Sequence, residues 1–198
     1  PHPQGHPKIQ NLKSGVRYFF GMDGKEEELE LRDAATKVSE DKLARYEEIR
    51  TTALQLYNSF TPVKCPALND KVVVFTAEGF NHLVYRIPKQ ERNKRVQIMR
   101  FELLEKARAL LEKTTIIQEY EEYIDQKKVW MNKKKTLANV TIRDIGFIGI
   151  IKCFRIKVVV RKIGNGNFEF LSVIPAWSTK YYRGIKIADI TQHPILKI

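Results

Sequence analysis

The feature that most constrains the fold is a turn sequence between two β-rich segments near the end of the chain. Residues 156–163 and 168–174 are rich in Val, Ile and Phe, and Gly164-Asn165-Gly166-Asn167 separates them. Asn-Gly between two such segments is typical of a type I′ hairpin turn, in which both central residues have positive φ. With Asn165 and Gly166 as the loop, three pairings follow: 163 with 168, 161 with 170, and 159 with 172.

This register assigns the hairpin side chains to two faces, because successive residues of a strand point to opposite sides of a sheet. One face is apolar and is expected to pack on helices: Val158, Val160, Leu171 and Val173. The other mixes cations, rings and a hydroxyl: Lys157, Val159, Arg161, Phe168, Phe170 and Ser172. Nucleic-acid sites use these side-chain types for phosphate contact and base stacking. In the alternative, residues 175–198 cover this face and bury Phe168 and Phe170.

The chain divides into three parts by composition. Residues 1–24 are rich in Pro and Gly and are predicted to be a flexible arm or linker. Residues 25–61 have the Glu-, Lys- and Leu-rich composition of an N-terminal helical segment, and residues 70–198 are predicted to form a basic α+β domain.

Within the basic part, periodicity predicts a strand at residues 71–75 and helices at 77–87, 90–113 and 115–130. From residue 147 onward the period changes to two. A break around residues 152–155 then predicts two strands before the hairpin turn.

Positive charge is concentrated in the last third of the chain. Lys and Arg number 35 against 23 Asp and Glu, a formal net charge of +12, and residues 127–198 alone account for an excess of that size. Such a field attracts polyanions, of which nucleic acid is the commonest inside cells. The alternative is a soluble basic surface with no specific partner.

His82 is the candidate for proton transfer, because the unperturbed pKa of histidine, about 6.5, lies near neutral pH. It is predicted on the polar side of the 77–87 helix, opposite Phe80, Leu83 and Val84. A lone helical histidine is also compatible with an ordinary surface position. The sequence has neither a Gly-rich phosphate loop nor a paired-Asp motif, so we expect neither a cofactor nor a metal.

The sequence contains no apolar run long enough to span a bilayer and no secretory signal at its start. Two cysteines are too few for a disulfide framework and fit a reducing compartment. These features predict a cytoplasmic protein that does not contact membranes.

Four features follow one another along the chain: a predicted strand, the residues Gly79-Phe80-Asn81-His82, an Arg-bearing pair of helices, and a basic hairpin ending Phe170-Leu171-Ser172-Val173. Together they resemble the Barnase–EndoU–colicin–RelE (BECR) superfamily of small ribonucleases. The resemblance covers about residues 70–175 and is closest to the phage-associated and polymorphic-toxin branches. It implies an α+β fold with helices packed on one face of an antiparallel sheet. It also implies metal-independent cleavage of RNA on the open face of that sheet.

Through this resemblance His82 matches the histidine of the family's first helix, and Arg161 and Ser172 match polar positions on the last two strands. These three residues are the catalytic candidates. The predicted RNA- and phosphate-binding residues are Arg86, Arg92, Arg95, Lys157 and Phe170. The EndoU branch uses two histidines, whereas the downstream histidine here, His193, lies outside the matched region.

Two functions are therefore expected. The first is a metal-independent endoribonuclease of the toxin or defence type, acting on RNA (tRNA, mRNA or rRNA), with an immunity or antitoxin protein as a partner. The second is a non-catalytic nucleic-acid-binding module of a larger phage or defence protein. The helical segment at residues 25–60 is a further candidate for binding a protein partner.

Overall fold

The computed structural model of the chain describes residues 38–87, 90–131 and 134–175. In these ranges five helices pack against a six-stranded sheet, which confirms the predicted α+β class. The predicted arm at residues 1–24, and residues 25–37 of the predicted helical segment, lie outside the described residues. No helix in the described part of the chain has the length and apolar character needed to cross a membrane.

The helices are short, and two of them begin at a side-chain cap. Ser39 caps the first by accepting a hydrogen bond from the Lys42 amide, and Asn93 caps the fourth by accepting one from the Arg95 amide. In chain order the helices are α1 (Glu40–Ala44), α2 (Tyr46–Asn58), α3 (Ala77–Val84), α4 (Lys94–Phe101) and α5 (Leu104–Lys113).

The main sheet has the strand order β1-β2-β8-β7-β6-β5, and β3 and β4 form a separate two-stranded sheet. The strands are β1 (Val63–Cys65), β2 (Lys71–Val74), β3 (Tyr85–Ile87), β4 (Gln90–Glu91), β5 (Glu119–Met131), β6 (Lys134–Ile151), β7 (Phe154–Ile163) and β8 (Phe168–Pro175). All neighbours in the main sheet are antiparallel except β2 and β8, which are parallel with Val73 opposite Phe168. The sheet is therefore mixed, and the prediction of a purely antiparallel sheet is wrong.

Two predicted helices differ from the structure. The helix predicted at residues 90–113 is divided at residues 102–103 into α4 and α5. The helix predicted at residues 115–130 is wrong, because most of this segment is β5, paired with β6 along its whole length. The apolar residues of this segment, spaced three and four apart, are compatible with a helix and also with a strand. Pairing with the long strand β6 selects the strand.

The β7–β8 hairpin is confirmed, but its turn and part of its register differ from the prediction. Val159 lies opposite Ser172 as expected, whereas a bulge follows and places Arg161 opposite Glu169. In the turn Gly164 has a positive φ of 53°, and Asn165 and Gly166 do not. The two-residue turn with positive φ at both positions is instead Lys152-Cys153, between β6 and β7.

The bulge moves two aromatic residues to the other side of the sheet. Phe168 and Phe170 join Val158 and Val160 in the hydrophobic core, and Phe170 is 1% exposed. The predicted mixed face is thus wrong for both phenylalanines. We call the side that carries Phe170 the core face. The opposite side, the second face, carries Lys157, Val159, Arg161, Glu169 and Ser172.

Tyr57 of α2 lies at the centre of the aromatic part of the core. Its ring is 5.4–6.1 Å from the rings of Phe60, Phe75, Phe80 and Phe170, centroid to centroid. A Cβ at Gly79 would overlap the Phe170 carbonyl oxygen and the Tyr57 hydroxyl, so α3 packs this closely on β8 only with glycine there. The helical segment before β1 thereby shares one core with the sheet.

The β5–β6 hairpin extends further than its neighbour in the sheet. Its pairing runs from Glu119 opposite Gly146 to Met131 opposite Lys134, whereas β7 pairs with β6 only over residues 142–151. Residues 124–131 and 134–141 therefore form a two-stranded segment that no third strand joins within the described residues. We call this segment the ribbon. Its eight cross-strand pairs span about 27 Å at the usual rise per residue.

Candidate functional site

A salt bridge between neighbouring strands is the most buried charged feature of the second face. Asp144 on β6 lies opposite Arg161 on β7 and accepts two hydrogen bonds from its guanidinium, at 2.6 and 2.7 Å. The Asp144 side chain is completely buried and that of Arg161 is 16% exposed. Two-point pairing of this kind is among the stronger charge-assisted interactions in proteins.

Tyr123 of β5 completes this arrangement. Its hydroxyl donates to Asp144 Oδ2 at 3.2 Å and accepts from Arg161 Nη2 at the same distance. Burial raises the pKa of Tyr123 to about 12, so the hydroxyl keeps its proton at neutral pH. Burial also raises the pKa of Asp144, while the hydrogen bonds from Arg161 and Tyr123 act in the opposite direction.

His82 on α3 is neutral in the folded protein at neutral pH. Burial lowers its pKa to about 4, and four positive charges act in the same direction: Arg161, Arg92, Arg100 and Lys127. The imidazole is 24% exposed, and its Nε2 lies 3.7 Å from Oε1 of Glu78, one helical turn earlier.

Two arginines hold the elements around His82. Arg100 of α4 is 2% exposed and donates to the hydroxyl of Ser172 on β8 at 2.6 Å. Arg92 donates from Nε to the carbonyl oxygen of His82 at 3.2 Å. The charges of Arg161 and Arg100 act on His82, and Arg100 binds Ser172, so the three catalytic candidates, His82, Arg161 and Ser172, lie in one region. We call it the polar cluster: His82, Arg100, Tyr123, Asp144, Arg161 and Ser172.

Other residues predicted to bind RNA or phosphate lie elsewhere. Phe170 is in the core and cannot stack on a base, which corrects the prediction made from the unbulged register. Arg95 donates to the Val38 carbonyl oxygen and pairs with Glu40, so it ties α4 to the start of α1.

Lys157 and Arg86 are the remaining predicted phosphate-binding residues. Lys157 forms a salt bridge with Glu119 of β5 at 2.8 Å, and both side chains are largely buried. Arg86 lies on β3 and is partly exposed. The predicted cations of the second face are thus engaged by carboxylates rather than left for phosphate.

Sequence reasoning missed several members of the site. Asp144 carries a detectable signal, since it is one of only three acids among residues 127–198. Tyr123 and Glu119 were hidden by the helical interpretation of the segment that is β5. Glu78 and Arg100 follow only from how α3 and α4 pack on β8.

Carboxylates of β5 pair with two cations of the neighbouring strands. Besides Lys157 with Glu119, Arg143 pairs with Glu122 at 2.6 Å. The ribbon has no such balance, because its two strands contain four lysines and a single acid, Asp125. The ribbon lysines are Lys127, Lys128, Lys134 and Lys135. Asp125 pairs with Lys127 at 3.2 Å.

The described ranges contain no group of three or more His, Cys, Asp or Glu side chains that could hold a metal ion. His193 lies outside the described residues.

Comparison with known proteins identifies no relative. No protein-family model matches the chain, and no curated protein or solved structure is significantly similar to it. The resemblance to the BECR superfamily therefore stays a prediction from short motifs.

Replacing Asp144 by Asn leaves the Arg161 charge buried without its counter-ion. We expect the free energy of unfolding, measured by urea denaturation, to fall by about 3–5 kcal/mol. Tyr123→Phe, the matched control, removes a neutral hydrogen-bonding group and should cost about 1 kcal/mol. Equal decreases in the free energy of unfolding of the two variants would show that the buried charge of Arg161 does not need its counter-ion.

His82 should make stability depend on pH in a defined window. Its pKa is about 4 in the folded protein and about 6.5 when unfolded, so between these values the unfolded chain binds a proton that the folded chain does not. Stability from this group is complete above about pH 6.5 and declines by about 3 kcal/mol as the pH falls to about 4. His82→Gln should flatten this part of the stability–pH curve. An NMR titration that places the imidazole pKa near 6.5 would contradict the buried, cation-flanked position.

Proposed function

We propose that this protein binds nucleic acid and that the ribbon is its main contact. The observation that supports this proposal is the uneven neutralisation of charge. On the sheet, Arg161, Lys157 and Arg143 each pair with a carboxylate, whereas the ribbon strands carry four lysines against one acid. The ribbon strands, which extend beyond the sheet, therefore carry an excess of three lysines over acids in their sequence.

The ribbon suits a polyanion because its charge is placed on a narrow, extended element. Lysines near phosphates release condensed counter-ions from the nucleic acid, and this release supplies most of the sequence-independent binding free energy. Lys127 lies on the same face of β5 as Tyr123, so this face of the ribbon's base adjoins the polar cluster.

Metal-independent cleavage of RNA at the polar cluster is the second candidate function. It is favoured by one observation: two groups able to transfer a proton, His82 and Glu78, lie 3.7 Å apart, and the charge of the buried Arg100 acts on His82. A neutral imidazole can accept the 2′-OH proton, and a phosphate near these arginines would raise the pKa of His82 towards the useful range. This candidate retains the predicted toxin or defence role and an immunity or antitoxin partner.

Two features weigh against cleavage and place it second. The guanidinium of Arg161 is already held by Asp144, and Phe170 is buried in the core, where its ring cannot stack on a base. Ser172 accepts a hydrogen bond from Arg100 and belongs to the packing between α4 and β8.

Binding should be salt-dependent and should rely on the ribbon. In fluorescence-anisotropy titrations, log Kd is expected to rise linearly with log salt concentration. Substituting Lys128, Lys134 and Lys135 by Gln should reduce that slope by about 2–3, one for each lost phosphate contact. The matched control substitutes three exposed lysines away from the ribbon, Lys64, Lys71 and Lys113. Equal slopes for the two triple variants would contradict the role of the ribbon, and absence of binding would contradict the proposal.

Incubation with total RNA, with and without EDTA, tests the second candidate. If the polar cluster cleaves RNA, cleavage persists in EDTA and His82→Ala abolishes it while RNA binding remains. Asn81→Ala, an exposed neighbour on α3, is the control and should retain full activity. Intact RNA with the unaltered protein, or full cleavage by His82→Ala, would reject this candidate.

A further inference from the structure

The two faces of the ribbon differ in exposure. On one face, Asp125, Lys127, Ala138 and Val140 are partly buried. The other face is open: Ile124 is 73% exposed and Leu137 is 58% exposed. A partner that approaches the ribbon therefore meets the face that carries Ile124 and Leu137.

Two amides occupy the middle of this open face. Gln126 on β5 and Asn139 on β6 lie directly opposite each other in the register, and both are exposed. On this face the preceding pair is Ile124 opposite Thr141, and Leu137 belongs to the following pair. The face thus presents side-chain amides flanked by apolar groups.

Amides flanked by exposed apolar side chains do not stabilise a ribbon that contacts only water. A two-stranded segment that no third strand joins, as the ribbon is within the described residues, has marginal stability of its own in water, and its exposed Ile and Leu side chains gain nothing there. Lysines on an edge strand prevent it from pairing with strands of other chains. The amides and apolar side chains of this face do not have that effect, so they need another explanation.

We propose that the open face of the ribbon enters the major groove of double-stranded DNA. This inference rests on the proposed nucleic-acid binding and names its ligand. The major groove of B-form DNA is about 12 Å wide and admits a two-stranded ribbon, whose strands lie about 4.8 Å apart. The major groove of A-form RNA is too narrow for side chains to read, so an RNA duplex is excluded as the preferred ligand.

The chemistry of the face fits base edges in that groove. Gln and Asn amides form paired hydrogen bonds with the N6 and N7 atoms of adenine, and apolar side chains contact the thymine methyl group. Gln126 and Asn139 would therefore supply sequence preference, and Ile124 and Leu137 would contact thymines. The lysines of the ribbon would hold the phosphates on either side of the groove.

The test compares ligands and variants in the same anisotropy assay. The ligands are a DNA duplex of about two helical turns, the RNA duplex of the same sequence and the single strands. The double variant Gln126→Ala/Asn139→Ala removes the amides without changing charge. Its control, Gln55→Ala/Asn58→Ala, removes two exposed amides from α2. Preferred sites are selected from a pool of randomised DNA duplexes.

We expect the unaltered protein to bind the DNA duplex about tenfold or more tightly than the RNA duplex, and to select A·T-containing sites. The ribbon amide variant should lose about tenfold or more in affinity for the selected site, and its site preference should disappear. The control variant should match the unaltered protein.

Failure of this inference differs from failure of the proposed function. Equal or tighter binding to the RNA duplex or to single strands, or an amide variant that behaves like its control, would overturn the major-groove assignment while leaving nucleic-acid binding in place. Absence of binding to every ligand would overturn both. Circular dichroism of the variants shows whether each one has folded.

Discussion

The pairing of β5 with β6 is the constraint on which the rest of the structure depends. It brings Tyr123 to the buried Asp144–Arg161 salt bridge and places Glu119 and Glu122 beside cations of β7 and β6. Without these β5 groups, two positive charges of the sheet, Lys157 and Arg143, would lose the carboxylates that pair with them. The same pairing continues beyond the sheet and forms the ribbon. One hairpin therefore supplies both the carboxylates that pair with cations of the sheet and the lysine-rich strands of the ribbon.

This division of charge sets what each region can do. Around His82, burial and surrounding cations keep the imidazole neutral, which suits packing and hydrogen bonding at neutral pH better than acid catalysis. Buried salt bridges such as Asp144–Arg161 contribute little net stability but are costly to break, so they fix one arrangement of the strands. The ribbon has a different character, with exposed apolar side chains and four lysines against one acid in its strands. We therefore propose binding at the ribbon, with the polar cluster as its support.

Local sequence signals predicted the local elements of this fold. The apolar stripe of Phe80, Leu83 and Val84 marked α3, and the turn at Lys152 and the β7–β8 hairpin were also found. Features that depend on distant segments were not predictable. The spacing of apolar residues in β5 suits a helix as well as a strand, and the parallel pairing of β2 with β8 joins segments almost a hundred residues apart. A single bulge was enough to move Phe170 from a proposed RNA-binding face into the core, because side chains alternate between faces along a strand.

Backbone-amide NMR of the protein titrated with double-stranded DNA tests the central claim most directly, because it locates the contact residue by residue. The largest shift changes and line broadening should occur at residues 124–131 and 134–141, with smaller changes near His82 and at the base of the ribbon. Changes centred on α3 and β8 with an unaffected ribbon would contradict the claim, as would changes spread evenly over the exposed lysines of the whole protein.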